Sequence, residues 1–392
     1  MSRLRPTPPR PEPEPEPTRW GRLRGPWNWT AIAALIAALA AAGGLVYTGR
    51  SIDITGRSLD VARAQNQVVE QGQLTDRFTK AVDQLDRTGD DHLQARLGGI
   101  YALERLARDS PRDHPTIVEV LSAFIRSTTP RPPNPDGTSG PCPDRPPAAD
   151  VQAALTVLGR RNPDHDNDTR IDLTQTCLRN TNLDHANLTE AQLTRVDLTG
   201  ANLNSANLHV AWLDDANLTR TNFMRANLTG ANLTGATLTG ATLHDANLHV
   251  AWLDNANLTD AEFNGADLTI TLLRNANLIG ARFDRADLTG AQLTDARLNG
   301  ARLVAARLTD ARLNGARLVA ARLTDARLDG TTLIGADLFG ANLNGANLTH
   351  TRLNGTNLNG AILVRTDLTG AVHDDATTTQ VKVKQDVIGA WW

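Results

Sequence analysis

Large apolar residues recur at a strict interval of five over the second half of the chain. From Leu173 to Leu368 every fifth residue is Leu or Phe, which makes forty units without an interruption. An α-helix turns by about 100° per residue and a strand alternates its faces with a period of two, so neither keeps such residues together. A chain that bends once in every unit does. The pattern therefore predicts a solenoid, in which each unit buries its apolar side chain against neighbouring units.

The positions around each large residue support one bend per unit. The residue two before it is Ala in 30 of the 40 units, the residue just before it is Asn or Asp in 20, and the residue two after it is Gly in 16. Asn, Asp and Gly tolerate turn conformations, and the first two also hydrogen-bond nearby backbone. We expect a large and a small apolar side chain to point inward from each unit, with a turn between units.

This five-residue phrase, as in the ANLTGANLTG of residues 226–235, resembles the pentapeptide repeat family over roughly half of the chain. The resemblance implies a mainly β fold, a right-handed quadrilateral β-helix with four pentapeptides per coil. Forty units would then form about ten coils, ~48 Å long at the usual strand spacing. A helical segment precedes the repeats in some membrane-anchored members of the family.

The N-terminal region predicts a membrane anchor. Residues 1–28 contain alternating Pro and Glu, which favours an extended, solvated tail. Residues 29–48 are uncharged, long enough to cross a bilayer, and flanked by Trp and Tyr, which favours a single transmembrane helix. A cleaved signal peptide and a buried soluble helix are the alternatives. Arginines are balanced on the two sides of the segment, so the side of the membrane stays open.

Between this segment and the repeats, the sequence predicts three elements. Residues 49–127 show apolar stripes with helical spacing and form a juxtamembrane helical module similar to a HEAT or armadillo helix pair. Residues 128–149 contain eight prolines and form a semi-rigid linker. Residues 150–161 form a short helix that can cap the open first coil of the solenoid at 171–370, and residues 371–392 can cap its other end.

The composition and motifs of the sequence give no sign of a catalytic or metal site. The net charge of −3 indicates no class of charged partner, and two cysteines, Cys142 and Cys177, exclude a disulfide framework. The acidic residues Asp164, Asp166 and Asp168 have the spacing of a calcium loop, but the Gly and Glu that an EF-hand requires are missing. There is no zinc motif, phosphate loop or nucleophile beside a base. We therefore predict no enzyme and no cofactor.

One candidate for partner binding is the duplicated phrase NLHVAWLD, which begins at residues 207 and 247. It places Trp212 and Trp252 outward, two coils apart and ~10 Å from one another if a coil has 20 residues. His209 and His249 accompany them. Exposed Trp residues often anchor a protein partner. The alternative is a recent duplication that copied a harmless Trp.

The second candidate is a surface of arginines. Units 171–270 hold 11 acidic and 4 basic residues, and units 271–370 hold 8 acidic and 12 basic residues, so the two halves have net charges of −7 and +4. Arg282, Arg302 and Arg322 would stack on one face as a patch for an anion or lipid. Interspersed Asp residues allow the alternative of a mutually neutralised, solvated surface.

Together these features predict a membrane-tethered, non-enzymatic scaffold that binds an unknown protein partner. Nucleic acid is not expected, because the net charge of −3 gives no general bias toward it, and small-molecule substrates are not expected, because a regular rod offers no concave site. The family resemblance also implies an alternative. Some pentapeptide repeat proteins are acidic DNA mimics that bind DNA gyrase, and this function would require a negative surface along the whole solenoid.

Overall fold

A computed structural model describes residues 54–132 and 140–390 of the chain. The predicted tail, residues 1–28, and the predicted transmembrane helix, residues 29–48, lie outside them. Within the described ranges, no helix combines the length and the apolar character that a bilayer crossing requires. Contacts divide the chain between Thr75 and Asp76, and the residues that follow this point form one compact unit.

The region before the repeats is helical. Its elements are α1 (Ile54–Leu85), a 3₁₀ turn (Asp90–His92), α2 (Leu93–Asp109), α3 (His114–Thr128), α4 (Ala149–Gly159) and a second 3₁₀ turn (Pro163–His165). The turn before α3 contains Pro, and a second Pro lies in the first turn of that helix, where its missing N–H is not needed. The apolar stripes of α2 and α3 both face the interior of the unit.

Helices α2 and α3 pack against one another and against α4, which joins them to the solenoid. Ile100 and Ile125 are completely buried in this contact, and Leu155 is almost so. The last turns of α1 contact α2 closely, because a Cβ on Gly99 would lie 2.6 Å from the carbonyl oxygen of Ala81. Only a glycine permits that approach.

Ion pairs attach the helices to the start of the solenoid. Arg96 of α2 binds Asp150 of α4, and Arg126 of α3 binds Asp172 in the first repeat at 2.9 Å. Glu104 of α2 receives two hydrogen bonds from Arg160, just after α4. Burial alone raises the pKa of Glu104, but the hydrogen bonds and charges of Arg160 and Arg108 outweigh it and hold the pKa below its ordinary value.

A buried histidine provides one more link. His114 lies at the start of α3; its Nε2 is 2.9 Å from Asp166 and its Nδ1 is 3.3 Å from the carbonyl oxygen of Ala107. Arg161 binds the same carboxylate at 2.7 Å. Asp166, which has the spacing of a calcium ligand in the sequence, therefore pairs with two cationic or polar side chains of the helical region.

From residue 172 onward the chain is a β-helix with 20 residues per coil. From Asp172 to Arg352, each outward residue just before a core Leu or Phe forms a parallel bridge with the residue 20 positions later, beginning with Asp172↔Gln192; the last three pair 21 positions later, as Asn357 does with Thr378. Each coil has four such bridges separated by four turns, so it is four-sided. This agrees with the predicted four pentapeptides per coil.

The turn chemistry explains the Asn and Asp preference. Apart from Asn277, an Asn or Asp just before a core Leu or Phe accepts a hydrogen bond from the N–H two residues later, as Asn217 does from Thr219 at 3.3 Å and Asp267 from Thr269 at 2.9 Å. The residue two after each core Leu or Phe has positive φ in all forty units. This left-handed conformation is the reason for the many glycines there.

The interior consists of the predicted Leu and Ala rows, which are almost completely buried. Thr replaces Ala at several inward positions, and its hydroxyl then donates to a core carbonyl, as Thr221 does to Leu198 and Thr331 to Leu308 at 2.9 Å. A hydroxyl that stays bonded avoids the cost of burying a free polar group. Phe263 and Phe283 stack in adjacent coils with ring centroids 4.9 Å apart.

Both ends of the solenoid are covered. Helix α4 lies on the first coil, where Gly159 accepts a hydrogen bond from Asn187 at 2.7 Å. At the other end, β2 (Val383–Gln385) pairs in parallel with β1 (Ile362–Val364) and continues the coil. These contacts protect the backbone groups and apolar side chains that terminal repeats would otherwise expose.

The segment after α3 returns to the first coil. Pro130 pairs with Thr176, and Thr129 accepts a hydrogen bond from Cys177 at 2.8 Å. Cys142 and Cys177 form a disulfide with a Cα–Cα distance of 5.5 Å. Two cysteines are too few for a disulfide framework, but this single bond joins the proline-rich segment to the solenoid, a link that the sequence pattern does not predict.

Candidate interaction surface

The outward residues of the solenoid lie in four columns, one on each side. One side carries residues 192, 212, 232, 252 and 272, and we call it the tryptophan face. The turn that precedes this face carries residues 210, 230, 250 and 270. Because each coil has 20 residues, the members of a column follow one another at the strand spacing of ~4.8 Å.

An apolar strip runs along the tryptophan face and this turn. It consists of Val210, Trp212, Val250, Trp252, Ile270 and Leu272. Trp212 and Trp252 are 50% and 53% exposed, and Ile270 is 52% exposed. The structure thus places both predicted tryptophans on the surface of one side, in rows that are separated by the row of Asn232.

Three residues of the strip have an unfavourable backbone conformation. Val210, Val250 and Ile270 have φ values of 54°, 53° and 59°. They are the β-branched residues among the forty turn positions with positive φ; the others are Gly, Ala or residues without a branch at Cβ. A left-handed conformation costs an L-residue about 1–2 kcal/mol and is least suited to a branched Cβ. Strain of this kind often marks a functional site.

The five-residue period does not predict this strain, but the residue types in the sequence show where it would occur. Val and Ile occupy a turn position at which Gly, Asn and Asp predominate. The two histidines of the duplicated phrase lie on the same turn. His209 is exposed, and the Nδ1 of His249 is 2.6 Å from the hydroxyl of Thr269.

One rim of the strip is acidic. Asp214 accepts a hydrogen bond from Thr194 at 2.9 Å, Asp215 lies 3.5 Å from Arg195, and Asp254 binds Arg274. The hydrogen bond from Arg274 to Asp254 raises the pKa of that guanidinium. Three carboxylates therefore share two guanidiniums at this rim, and among the described residues Asp214 has no cationic partner within salt-bridge distance.

The predicted arginine patch lies on the opposite side of the solenoid, two pentapeptides away around the coil. Arg282, Arg302 and Arg322 are bridged in one column. Arg302 binds Asp284 at 2.7 Å and Arg282 lies 3.4 Å from Glu262. Arg322 is exposed and has no ion pair within the part of the chain that the structure describes. The patch is therefore partly neutralised.

The composition of the strip favours recognition of a protein. Among residues 54–132 and 140–390, no three His, Cys, Asp or Glu side chains are grouped as a metal site. The strip combines an aromatic pair, aliphatic side chains and a polar rim, which is the composition of a protein-binding hot spot.

A family comparison agrees with the fold. The model described as pentapeptide repeats matches in eight copies, over residues 169–204, 201–240, 241–271, 271–303, 301–338 and 336–372, just over half of the chain. The chain belongs to the pentapeptide repeat family. Proteins of this family fold as right-handed β-helices, which confirms the fold that the resemblance implied for the repeats.

Solved pentapeptide repeat structures match as well. HetL, involved in heterocyst differentiation regulation in the cyanobacterium Nostoc sp. strain PCC 7120, is 37% identical over 53% of this chain and 91% of HetL, with a TM-score of 0.32. Rfr23 from the cyanobacterium Cyanothece 51142 is 40% identical over 24% of this chain and 63% of its own, with a TM-score of 0.23. QnrB1, a plasmid-mediated fluoroquinolone resistance protein, is 21% identical over 46% and 92%, with a TM-score of 0.21. A comparison with curated protein sequences gives no match.

Proposed function

We propose that this pentapeptide repeat protein is a membrane-tethered, non-enzymatic scaffold that binds a protein partner through its apolar strip. The observation that carries the proposal is that strained turn residues lie among the exposed apolar side chains of the strip. Val210, Val250 and Ile270 contribute no inward side chain, yet each holds an unfavourable backbone conformation; the first two lie beside the exposed Trp212 and Trp252, and Ile270 is itself exposed. A purely structural turn would be better served by Gly or Asn.

Cross-linking in cells tests the strip directly. A photoreactive benzoylphenylalanine at Gln192, which is bridged to Trp212, should give an adduct with the partner. Changing Trp212 and Trp252 to Asn should reduce the adduct by at least about tenfold, since a hot spot contributes ≥ 2 kcal/mol. Changing the exposed Phe339 to Asn is the matched control and should leave it unchanged. An adduct of equal intensity in the double variant would reject the proposal.

The tether is the predicted helix at residues 29–48. Its uncharged run with aromatic flanks supports anchoring, and carbonate extraction of cell membranes tests it. We expect the chain in the pellet. Recovery in the supernatant, or a mature N-terminus near Gly43, would replace the anchor with the buried helix or the cleaved signal peptide.

The disulfide supports a location of the solenoid outside the reducing cytoplasm. Disulfides persist in oxidising compartments and are rare in the cytosol. The sequence contains only Cys142 and Cys177, so maleimide-polyethylene glycol added to acid-quenched cells reports their state without ambiguity. We expect no mass shift unless a reductant is added first. Two modified thiols without reductant would place the solenoid on the cytoplasmic side.

A DNA-mimicking regulator of DNA gyrase, or of another DNA-binding protein, is the second candidate. The acidic first half, with 11 acidic and 4 basic residues, favours it. The second half opposes it, because an excess of arginines would repel the DNA-binding surface of such a protein. Protection of gyrase from a quinolone in a supercoiling assay would favour this function over the scaffold.

A further inference from the structure

Between the two exposed tryptophans the surface has a gap. The rows of Trp212, Asn232 and Trp252 are consecutive, since Leu213 donates to the Asn232 carbonyl and Leu233 to the Trp252 carbonyl, each at 2.7 Å. The tryptophan rows are therefore two strand spacings apart, ~10 Å, with one row of about 5 Å between them. We call this gap the tryptophan notch.

The residues between the two tryptophan rows project little from the surface. The side chain of Asn232 accepts a hydrogen bond from Thr234 at 3.1 Å, so it is bent back onto its own turn. Glycines lie at both ends of the row. A Cβ on Gly230 would meet only Val210 within 4 Å, at 3.5 Å, and a Cβ on Gly235 would meet the Asp215 carboxylate at 2.7 Å.

The two ends of the tryptophan notch differ in chemistry. One end has the strained Val210 and Val250, and the other has the acidic rim, where Asp214 lacks a cationic partner among the described residues. A large apolar side chain fits between aromatic walls, and a cation next to it would complement the rim.

We infer that the tryptophan notch receives a single large apolar side chain of the partner protein, which carries a Lys or Arg beside it. This inference rests on the proposed scaffold function and specifies the contact. It explains why the phrase HVAWLD occurs in two coils, whereas the equivalent stretch of the coil between them, residues 229–234, reads TGANLT. The two copies of the phrase, with Trp212 and Trp252, form the walls of the tryptophan notch, and the coil with Gly230, Asn232 and Gly235 lies between them.

A substitution that fills the tryptophan notch shows whether the partner needs the gap itself or only an apolar surface. In the full-length chain with benzoylphenylalanine at Gln192, Asn232→Trp adds apolar surface but closes the gap. Trp is compatible with that position, since Trp212 and Trp252 occupy the equivalent one. We expect the adduct to fall by at least about tenfold. The control Asn347→Trp lies on another side and loses the same kind of turn hydrogen bond, at 2.8 Å, so its adduct should persist.

The possible outcomes are distinct. Loss of the adduct in Asn232→Trp but not in Asn347→Trp supports the notch. An unchanged or stronger adduct in Asn232→Trp, together with a loss in the Trp212/Trp252 double variant, overturns the notch and leaves the scaffold function in place. Absence of an adduct with the wild-type strip overturns both. Circular dichroism of each purified variant checks that the solenoid is intact.

Discussion

Replacing the strained Ile270 by Asn should leave the solenoid as stable as the parent or more stable, while it weakens partner binding. Ile270 has a φ of 59° and its side chain is 52% exposed. Asn adopts the left-handed region more readily, so the change should recover about 1–2 kcal/mol of backbone strain. Loss of the buried half of the Ile270 side chain should cost about 1 kcal/mol. The net change should therefore lie between zero and about 1 kcal/mol of stabilisation.

Ile279 provides the matched control. It occupies the position just before the positive-φ residue of its turn, is partly buried and is not among the residues with positive φ. Ile279→Asn should lose a similar apolar area without relief of strain, so it should destabilise by about 1 kcal/mol. The two variants should differ by about 1–2 kcal/mol, or roughly 2–8 °C in the unfolding midpoint.

The assay is thermal unfolding of the purified, oxidised chain, followed by the β-sheet circular dichroism signal. In parallel, the adduct at Gln192 should decrease for Ile270→Asn and persist for Ile279→Asn. Stability and binding would then change in opposite directions, as expected when strain is retained for function. Equal midpoints for the two variants would show that the positive φ of Ile270 carries no appreciable strain, and would remove the main support for the strip.

Three further predictions concern the stability of the fold. Leu258→Asp should unfold neighbouring coils, because Leu258 is fully buried and an unpaired charge cannot be accommodated there; equal melting of this variant and an Asn257→Asp control would refute the inward assignment. Cys177→Ser should destabilise the attachment of the helices by about 3–4 kcal/mol, the loop-closure value for a separation of 35 residues; an unchanged denaturant midpoint would contradict it. The Glu104 carboxylate has a lowered pKa, so its stabilisation should be present above the ordinary value of 4.5 and be lost as the pH falls below it; Glu104→Gln should therefore lose stability at neutral pH but approach the parent in acid, and a constant difference between the two would contradict this.

The fold of the repeats could be predicted from the sequence because the residues that determine it lie within each five-residue unit. A Leu or Phe at every fifth position, a small residue two before it and a turn residue two after it leave one arrangement that buries all forty large side chains. The outward direction of Trp212 and Trp252 follows from the same register. The number of residues per coil does not follow from the register, and came from the family resemblance.

Only the tertiary structure decided how the parts meet. Helices α2 and α3 lie directly on α4, and the proline-rich segment returns to pair with Thr176 and to bond Cys177. The disulfide, for example, joins residues 35 positions apart, which no local pattern encodes. The candidate site has the same origin. The strain at Val210, Val250 and Ile270 depends on a turn geometry that the stacked coils impose, because backbone hydrogen bonds to the next coil, from Val210 to Thr229 and from Ile270 to Thr289 at 2.9 Å, hold each turn in the left-handed conformation.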